Sequence, residues 1–125
     1  MLNLVGNVYG LKNEKFFDLI TVIVGSGPAF FYYLLESMEK AAISHGLNRS
    51  FAKKILMNTY DGTGKLILNN FDKSYEDLRK NVTSKGGTTE AAIKCLKENN
   101  FKKLIYNSIK DSIKKAKILG SKKVK

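Results

Sequence analysis

Four hydroxyl side chains and two glycines stand together in Val82-Thr83-Ser84-Lys85-Gly86-Gly87-Thr88-Thr89. Paired glycines let the backbone turn without a Cβ penalty and leave N–H groups open to a close approach. The next residues, Glu90-Ala91-Ala92-Ile93, read as the start of a helix. Such a start has unpartnered N–H groups and the positive end of the helix dipole, which together suit an anion. An ordinary loop and N-cap uses the same residue types, and spacing alone favours that plainer reading.

Other chemistry is easier to exclude. Gly62-Thr63-Gly64-Lys65-Leu66 brushes against a phosphate-binding loop, but that motif needs glycine at Thr59 and a Ser or Thr at Leu66. Gly25-Ser26-Gly27 lacks the third glycine of a dinucleotide fingerprint and follows a helical pattern, so no cofactor-binding residue is assigned. His45 is the single histidine and Cys95 the single cysteine, far apart in the chain. Neither a metal site nor a nucleophile–base pair is expected, and no catalytic residue is assigned. Glu36 lies on an apolar helix, where a structural carboxylate is the commoner outcome.

The elements that must position the glycine stretch are helical. The pattern predicts helices over 14–24, 29–45, about 48–69, 75–80, 88–98 and 101–119, an all-α domain of about six helices. Gly25-Ser26-Gly27 is expected to interrupt the first pair, with Pro28 in a first helical turn. Gly46 reads as a helix stop, Asn48 or Ser50 as an N-cap, and Ser74 as the cap of the short fourth helix. Gly62 and Gly64 inside the third helix suggest a close helix contact or a bend. Inward faces are expected at Ile55, Leu56, Thr59, Thr63, Leu66 and Ile67, then at Ala92, Cys95 and Leu96. The sixth helix should present Phe101, Leu104, Ile105, Ser108, Ile109, Ser112, Ile113 and Ala116 as its apolar and small face. The helical domain is expected over 13–120, with 121–125 as a tail. Residues 1–10 have partial alternation, a strand without a partner, and 1–12 reads as the end of a preceding domain or a disordered lead-in.

With 125 residues, the chain fits one domain able to bury about 67 % of its unfolded surface. One cysteine on an apolar stripe points to a reducing, cytoplasmic setting. The net charge of +11 invites nucleic acid, yet Arg49 and Arg79 are the only arginines among 22 basic residues. Lysine lacks the planar fork that reads bases and phosphates, so no nucleic-acid partner is expected. The uncharged stretch 19–35 falls just short of a comfortable membrane span, and its central glycines and proline should split it. No membrane role is expected.

Three segments occur in order: Asp18-Leu19-Ile20-Thr21, Gly25-Ser26-Gly27-Pro28-Ala29-Phe30 and the stretch 82–89. Glu36, Gly46-Leu47, Thr59, Gly62, Leu96 and Phe101 accompany them. In these the chain resembles the C-terminal half of pyrroline-5-carboxylate reductase, the NAD(P)H-dependent enzyme of the last step in proline synthesis. The resemblance implies a helical dimerisation domain that interlocks with a second copy and whose dimers assemble further. It implies substrate binding by Ser84, Gly86, Gly87, Thr88 and Thr89, with 1-pyrroline-5-carboxylate or proline as ligand. NAD(P)H would be held by a Rossmann domain, on a separate chain if at all, and not by this chain alone. Gly6 with Val8 is similar to the end of that cofactor domain, which accounts for the unpartnered strand.

The chain departs from the family pattern twice. The family has proline where Lys85 stands, so the loop loses a fixed φ and gains a cation. It usually has an apolar residue where Glu90 stands, and a carboxylate there would satisfy the same N–H groups and repel an anion. Two alternatives stay open beside the reductase reading: a non-enzymatic dimerisation module, and a gene remnant.

Overall fold

The computed structural model describes residues 14–122. The strand expected over 1–10 and the end of the expected tail, 123–125, lie outside the described residues. Every described element is helical. A 3-10 turn Glu14–Phe16 leads into α1 (Phe17–Thr21), a π-helical turn (Val22–Ser26) and α2 (Gly27–Ser44). Then come α3 (Arg49–Asn69), α4 (Tyr75–Asn81), α5 (Thr88–Glu98) and α6 (Phe101–Lys122). The all-α expectation holds. The chain divides into two units, one of them Phe30–Lys102 and the other made of the residues on either side of it.

In the unit Phe30–Lys102, local signals set the boundaries. Gly46 takes φ +97 after α2; its N–H donates to the Ile43 carbonyl at 3.0 Å and the Leu47 N–H to that of Ala42 at 3.1 Å. This pair of bonds closes the helix end and satisfies its last carbonyls. Asn48, not Ser50, caps α3: its Oδ1 accepts from the Ser50 N–H at 2.9 Å and the Phe51 N–H at 3.4 Å. The Phe31 and Tyr60 rings meet edge to face at 6.4 Å, joining α2 to α3. Ser74 caps α4, its Oγ accepting from the Asp77 N–H at 3.1 Å, and Glu76 and Asp77 fill the first turn as expected.

In the other unit, the expected interruption at Gly25–Pro28 does not occur. Phe17–Ser44 is one helical run of 28 residues. Proline lacks an N–H and its ring crowds the carbonyl four residues back, here that of Val24. The wider π turn over Val22–Ser26 makes room for that ring, so the helix swells instead of breaking. By length and composition the run could cross a bilayer, so the break expected to shorten it is not there. Downstream, α6 continues through Lys122, so the expected tail is helical at its start. Of the face expected on α6, Ile105, Ile109, Ser112, Ile113 and Ala116 are half-buried, whereas Phe101, Leu104 and Ser108 are exposed.

The largest departure concerns the core. Among the described residues only Val22, at 3 % exposure, and Ala52, at 0 %, are buried hydrophobics. Thr59, Thr63 and Leu66 on α3 are exposed, and so are Ala92, Cys95 and Leu96 on α5. Leu68 stays 77 % exposed and Phe71 91 %. The apolar stripes have the expected period but no layer of the described residues covers them, although burying such stripes is what normally stabilises helices. Among the described residues no atom lies within 4 Å of a Cβ added at Gly62 or Gly64, so the close helix contact expected there is not made among them. Glu36 is also exposed, ion-paired with Lys40 one turn on.

Candidate functional site

The glycine stretch joins α4 to α5. Three bonds terminate α4: the Val82 N–H donates to the Arg79 carbonyl at 3.3 Å, the Thr83 N–H to that of Lys80 at 3.0 Å, and the Thr83 hydroxyl to that of Arg79 at 2.6 Å. The chain then reverses at Gly86, whose φ of +72 lies in the left-handed region that costs other residues energy. The Gly87 N–H closes the turn on the Ser84 carbonyl at 3.1 Å. A Cβ on Gly87 would stand 2.5 Å from the Ser84 hydroxyl and 3.1 Å from its carbonyl oxygen, so the side chain of Ser84 fills the space that glycine vacates. Both glycines are thus required, for different reasons.

Gly87, with extended backbone, is the N-cap of α5, and it lends no side-chain bond to the helix. The first N–H groups of a helix have no acceptor within it. Those of Thr88 and Thr89 accordingly have no partner among the described residues, since the first ladder bond runs from the Ala91 N–H to the Gly87 carbonyl at 3.2 Å. The Gly86 N–H is already taken: it donates to Glu90 Oε2 at 2.6 Å. Of the backbone N–H groups of Gly86, Gly87, Thr88 and Thr89, the first two are therefore engaged among the described residues and the last two are open. Lys85 is exposed and forms no ion pair among the described residues, so it does not neutralise Glu90.

A concavity of about 550 Å³ opens beside the turn, lined by Gly86, Gly87 and Glu90 together with Arg79, Lys94 and Lys97. Three cations against one carboxylate make it a net positive hollow. The Arg79 guanidinium lies 3.8 Å from Glu76, and Lys94 lies 3.8 Å from Glu98, loose distances for exposed pairs. Glu76 also pairs with Lys80 at 3.1 Å, and that hydrogen bond, reinforced by the charge of Lys80, holds its carboxyl below the usual carboxylate range. Gly86 and Gly87 border the hollow, whereas Ser84 is spent against Gly87, and Thr88 and Thr89 offer their N–H groups at the head of α5.

Sequence reasoning missed Arg79, Lys94 and Lys97 as neighbours of the turn. Two signals were available. Arg79 is one of two arginines in a lysine-rich chain, and residues 90, 94 and 97 share one face of a helix by their spacing of four and three. Among the described residues no cluster of His, Cys, Asp and Glu is arranged to hold a metal ion. Cys95 is an exposed free thiol.

Residues 14–119 match the family profile "Pyrroline-5-carboxylate reductase dimerisation". The chain is similar to pyrroline-5-carboxylate reductase 2 of Bacillus subtilis (strain 168), 40 % identical over 106 residues that cover 85 % of this chain and 38 % of that protein. It is similar to the pyrroline-5-carboxylate reductase of Pseudomonas aeruginosa, 36 % identical over 109 residues, 87 % of this chain and 40 % of that protein. Among solved structures it is similar to Plasmodium falciparum pyrroline carboxylate reductase with NADP bound, at a TM-score of 0.86 and 30 % identity, covering 94 % of this chain and 47 % of that one. The Coxiella burnetii pyrroline-5-carboxylate reductase gives a TM-score of 0.85 at 34 % identity, over 92 % of this chain and 42 % of that one. The chain thus spans about two fifths of the length of the curated relatives it matches. The apolar run Phe17–Ser44, the glycine turn and the uncovered helix faces all fall within 14–119, and over that length the chain belongs to the pyrroline-5-carboxylate reductase dimerisation family.

Proposed function

We propose that this chain supplies the dimerisation surface and the substrate-carboxylate site of a pyrroline-5-carboxylate reductase. The carrying observation is the head of α5, where the Thr88 and Thr89 N–H groups are open beside a hollow lined by Arg79, Lys94 and Lys97. A carboxylate placed there gains two backbone donors, the helix dipole and a net positive surround. The Thr88 and Thr89 hydroxyls add donors that orient a five-membered ring over the turn, as the family resemblance implies for this loop.

The reduction draws its hydride from NAD(P)H. Among the described residues no strand leads into a glycine turn that opens a helix, since the one glycine turn of that kind follows α4, so they do not fit that nucleotide. The share of this chain in the reaction is then binding and orientation, and oligomer formation through the apolar faces of α2, α3 and α6. An NMR titration with L-proline tests the site. Selective shifts of the Gly86 to Thr89 amides are expected, and a silent loop with shifts elsewhere or nowhere overturns the assignment. Adding a separately produced cofactor domain with NADPH and 1-pyrroline-5-carboxylate tests the reaction: cofactor oxidation above background is expected, and none would rule out a two-chain enzyme.

A further inference from the structure

The Gly86 N–H sits at the inside of the reversal, one residue before the N-cap of α5, and a carboxylate already occupies it. Glu90 reaches back one helical turn, and its Oε2 accepts from Gly86 at 2.6 Å. This carboxylate is covalently tethered, so it competes with any free anion at a high effective concentration. The Glu90 side chain also shares the hollow with Arg79, Lys94 and Lys97, where its negative charge cancels part of the field that would draw an anion in. Neither Lys85 nor another described cation pairs with it at ion-pair distance.

We propose that Glu90 is a built-in competitor of the carboxylate ligand: it fills the Gly86 donor when the site is empty and must swing out before a ligand can take it. The inference rests on the carboxylate-site reading above and adds a regulated occupancy to it. The same bond ties the turn to the first turn of α5, where an acidic residue also complements the helix dipole. The site therefore exchanges stability for affinity. With the competitor in place only the Thr88 and Thr89 donors are open and the ligand binds weakly; with the competitor removed the Gly86 donor opens beside them and the ligand binds tightly.

Two variants separate the two contributions. In Glu90→Gln the side-chain carbonyl can still accept from Gly86, but the charge is gone. In Glu90→Ala both the acceptor and the charge are gone. Titration with L-proline and with tetrahydrofuran-2-carboxylate, which keeps the carboxylate and lacks the amine, should give affinity in the order Glu90→Ala above Glu90→Gln above the unaltered chain. The full span is expected at about tenfold, the size of a charge-assisted hydrogen bond. The melting temperature should follow the reverse order. In the unaltered chain, ligand saturation should shift the Gly86 amide and the Glu90 side-chain carboxyl carbon together.

The outcomes are distinguishable. If the unaltered chain binds these probes at the loop and the variants bind equally or more weakly, Glu90 is a plain helix cap and the competitor proposal is overturned, while the site reading stands. If no form binds, Glu90→Ala included, the site reading falls and takes the proposal with it. Should Glu90→Ala unfold, the ratio between Glu90→Gln and the unaltered chain, with the coupled Gly86 and Glu90 shifts, still decides.

Discussion

Two glycine-bearing stretches in this chain meet opposite fates. Gly25-Ser26-Gly27-Pro28 lies inside a continuous helical run, whereas Lys85-Gly86-Gly87-Thr88 reverses the chain. The residue types are nearly the same. Gly27 takes ordinary helical angles, φ −53 and ψ −44, and an added Cβ on Gly25 or Gly27 would meet nothing within 4 Å. Gly86 has φ +72, and Gly87 is pressed by Ser84. What differs is the preceding helix end. Thr83 turns back on the carbonyls of Arg79 and Lys80 and terminates α4, while no such group precedes Gly25 and the π turn carries the helix over Pro28. Glycine permits a reversal; the groups that satisfy the last carbonyls impose it.

Substitutions should therefore act with opposite sign in the two places. The largest effect is expected for Gly86→Val, which forces a β-branched residue into left-handed backbone and should cost about 2 kcal/mol in urea unfolding. Gly86→Asn should cost clearly less, because asparagine visits that region; equal losses would mean that the space, not the φ, matters. Gly87→Ala should cost about 1 kcal/mol by overpacking against Ser84. A Ser84→Gly background should recover part of it, which a double-mutant cycle reads directly. Gly25→Ala should stabilise by about 0.5–1 kcal/mol, since it relieves a helix-interior glycine where the chain leaves open space. A loss instead would place that helix face against another copy.

The smallest effect concerns acid. Lys80 holds the Glu76 carboxyl below its ordinary range, first through the hydrogen bond and then through charge. A depressed carboxylate contributes stability above the unfolded value, and that contribution is lost as pH falls through the lower folded value. The pair is fully exposed, so screening keeps the contribution small. A carboxyl-carbon NMR titration of Glu76 should show a midpoint below that of an isolated glutamate, and Lys80→Met should return it towards the ordinary value.

Much of this was legible from sequence because it is local. Asn48, Ser74 and Gly46 act within three or four residues of themselves, and α5 begins at Thr88, where the hydroxyl and glycine pattern placed it. The possibility that Glu90 would compete for the loop donors was legible too, since a first-turn acid reaches back by one turn. The π turn was not, because proline next to glycine reads as a break, and only the geometry of a particular helix decides whether it can widen. Arg79 was missed as a neighbour of the loop because its place depends on how α4 meets α5. The face of Ala92, Cys95 and Leu96 was read correctly as apolar and wrongly as inward, since a period in sequence shows which side wants cover and says nothing about which molecule provides it.

That last point reaches into the solution behaviour of the protein. A chain that buries only Val22 and Ala52 among its described hydrophobics carries little folding free energy of its own. Its helices are held together mainly by what they meet, as the dimerisation family to which it belongs implies. If a second copy provides that cover, as proposed above, folding and association form a single equilibrium governed by mass action, in which dilution acts as a denaturant and the unfolding midpoint is expected to climb with total protein. On that proposal the working state of the glycine turn is set by how much of the protein there is.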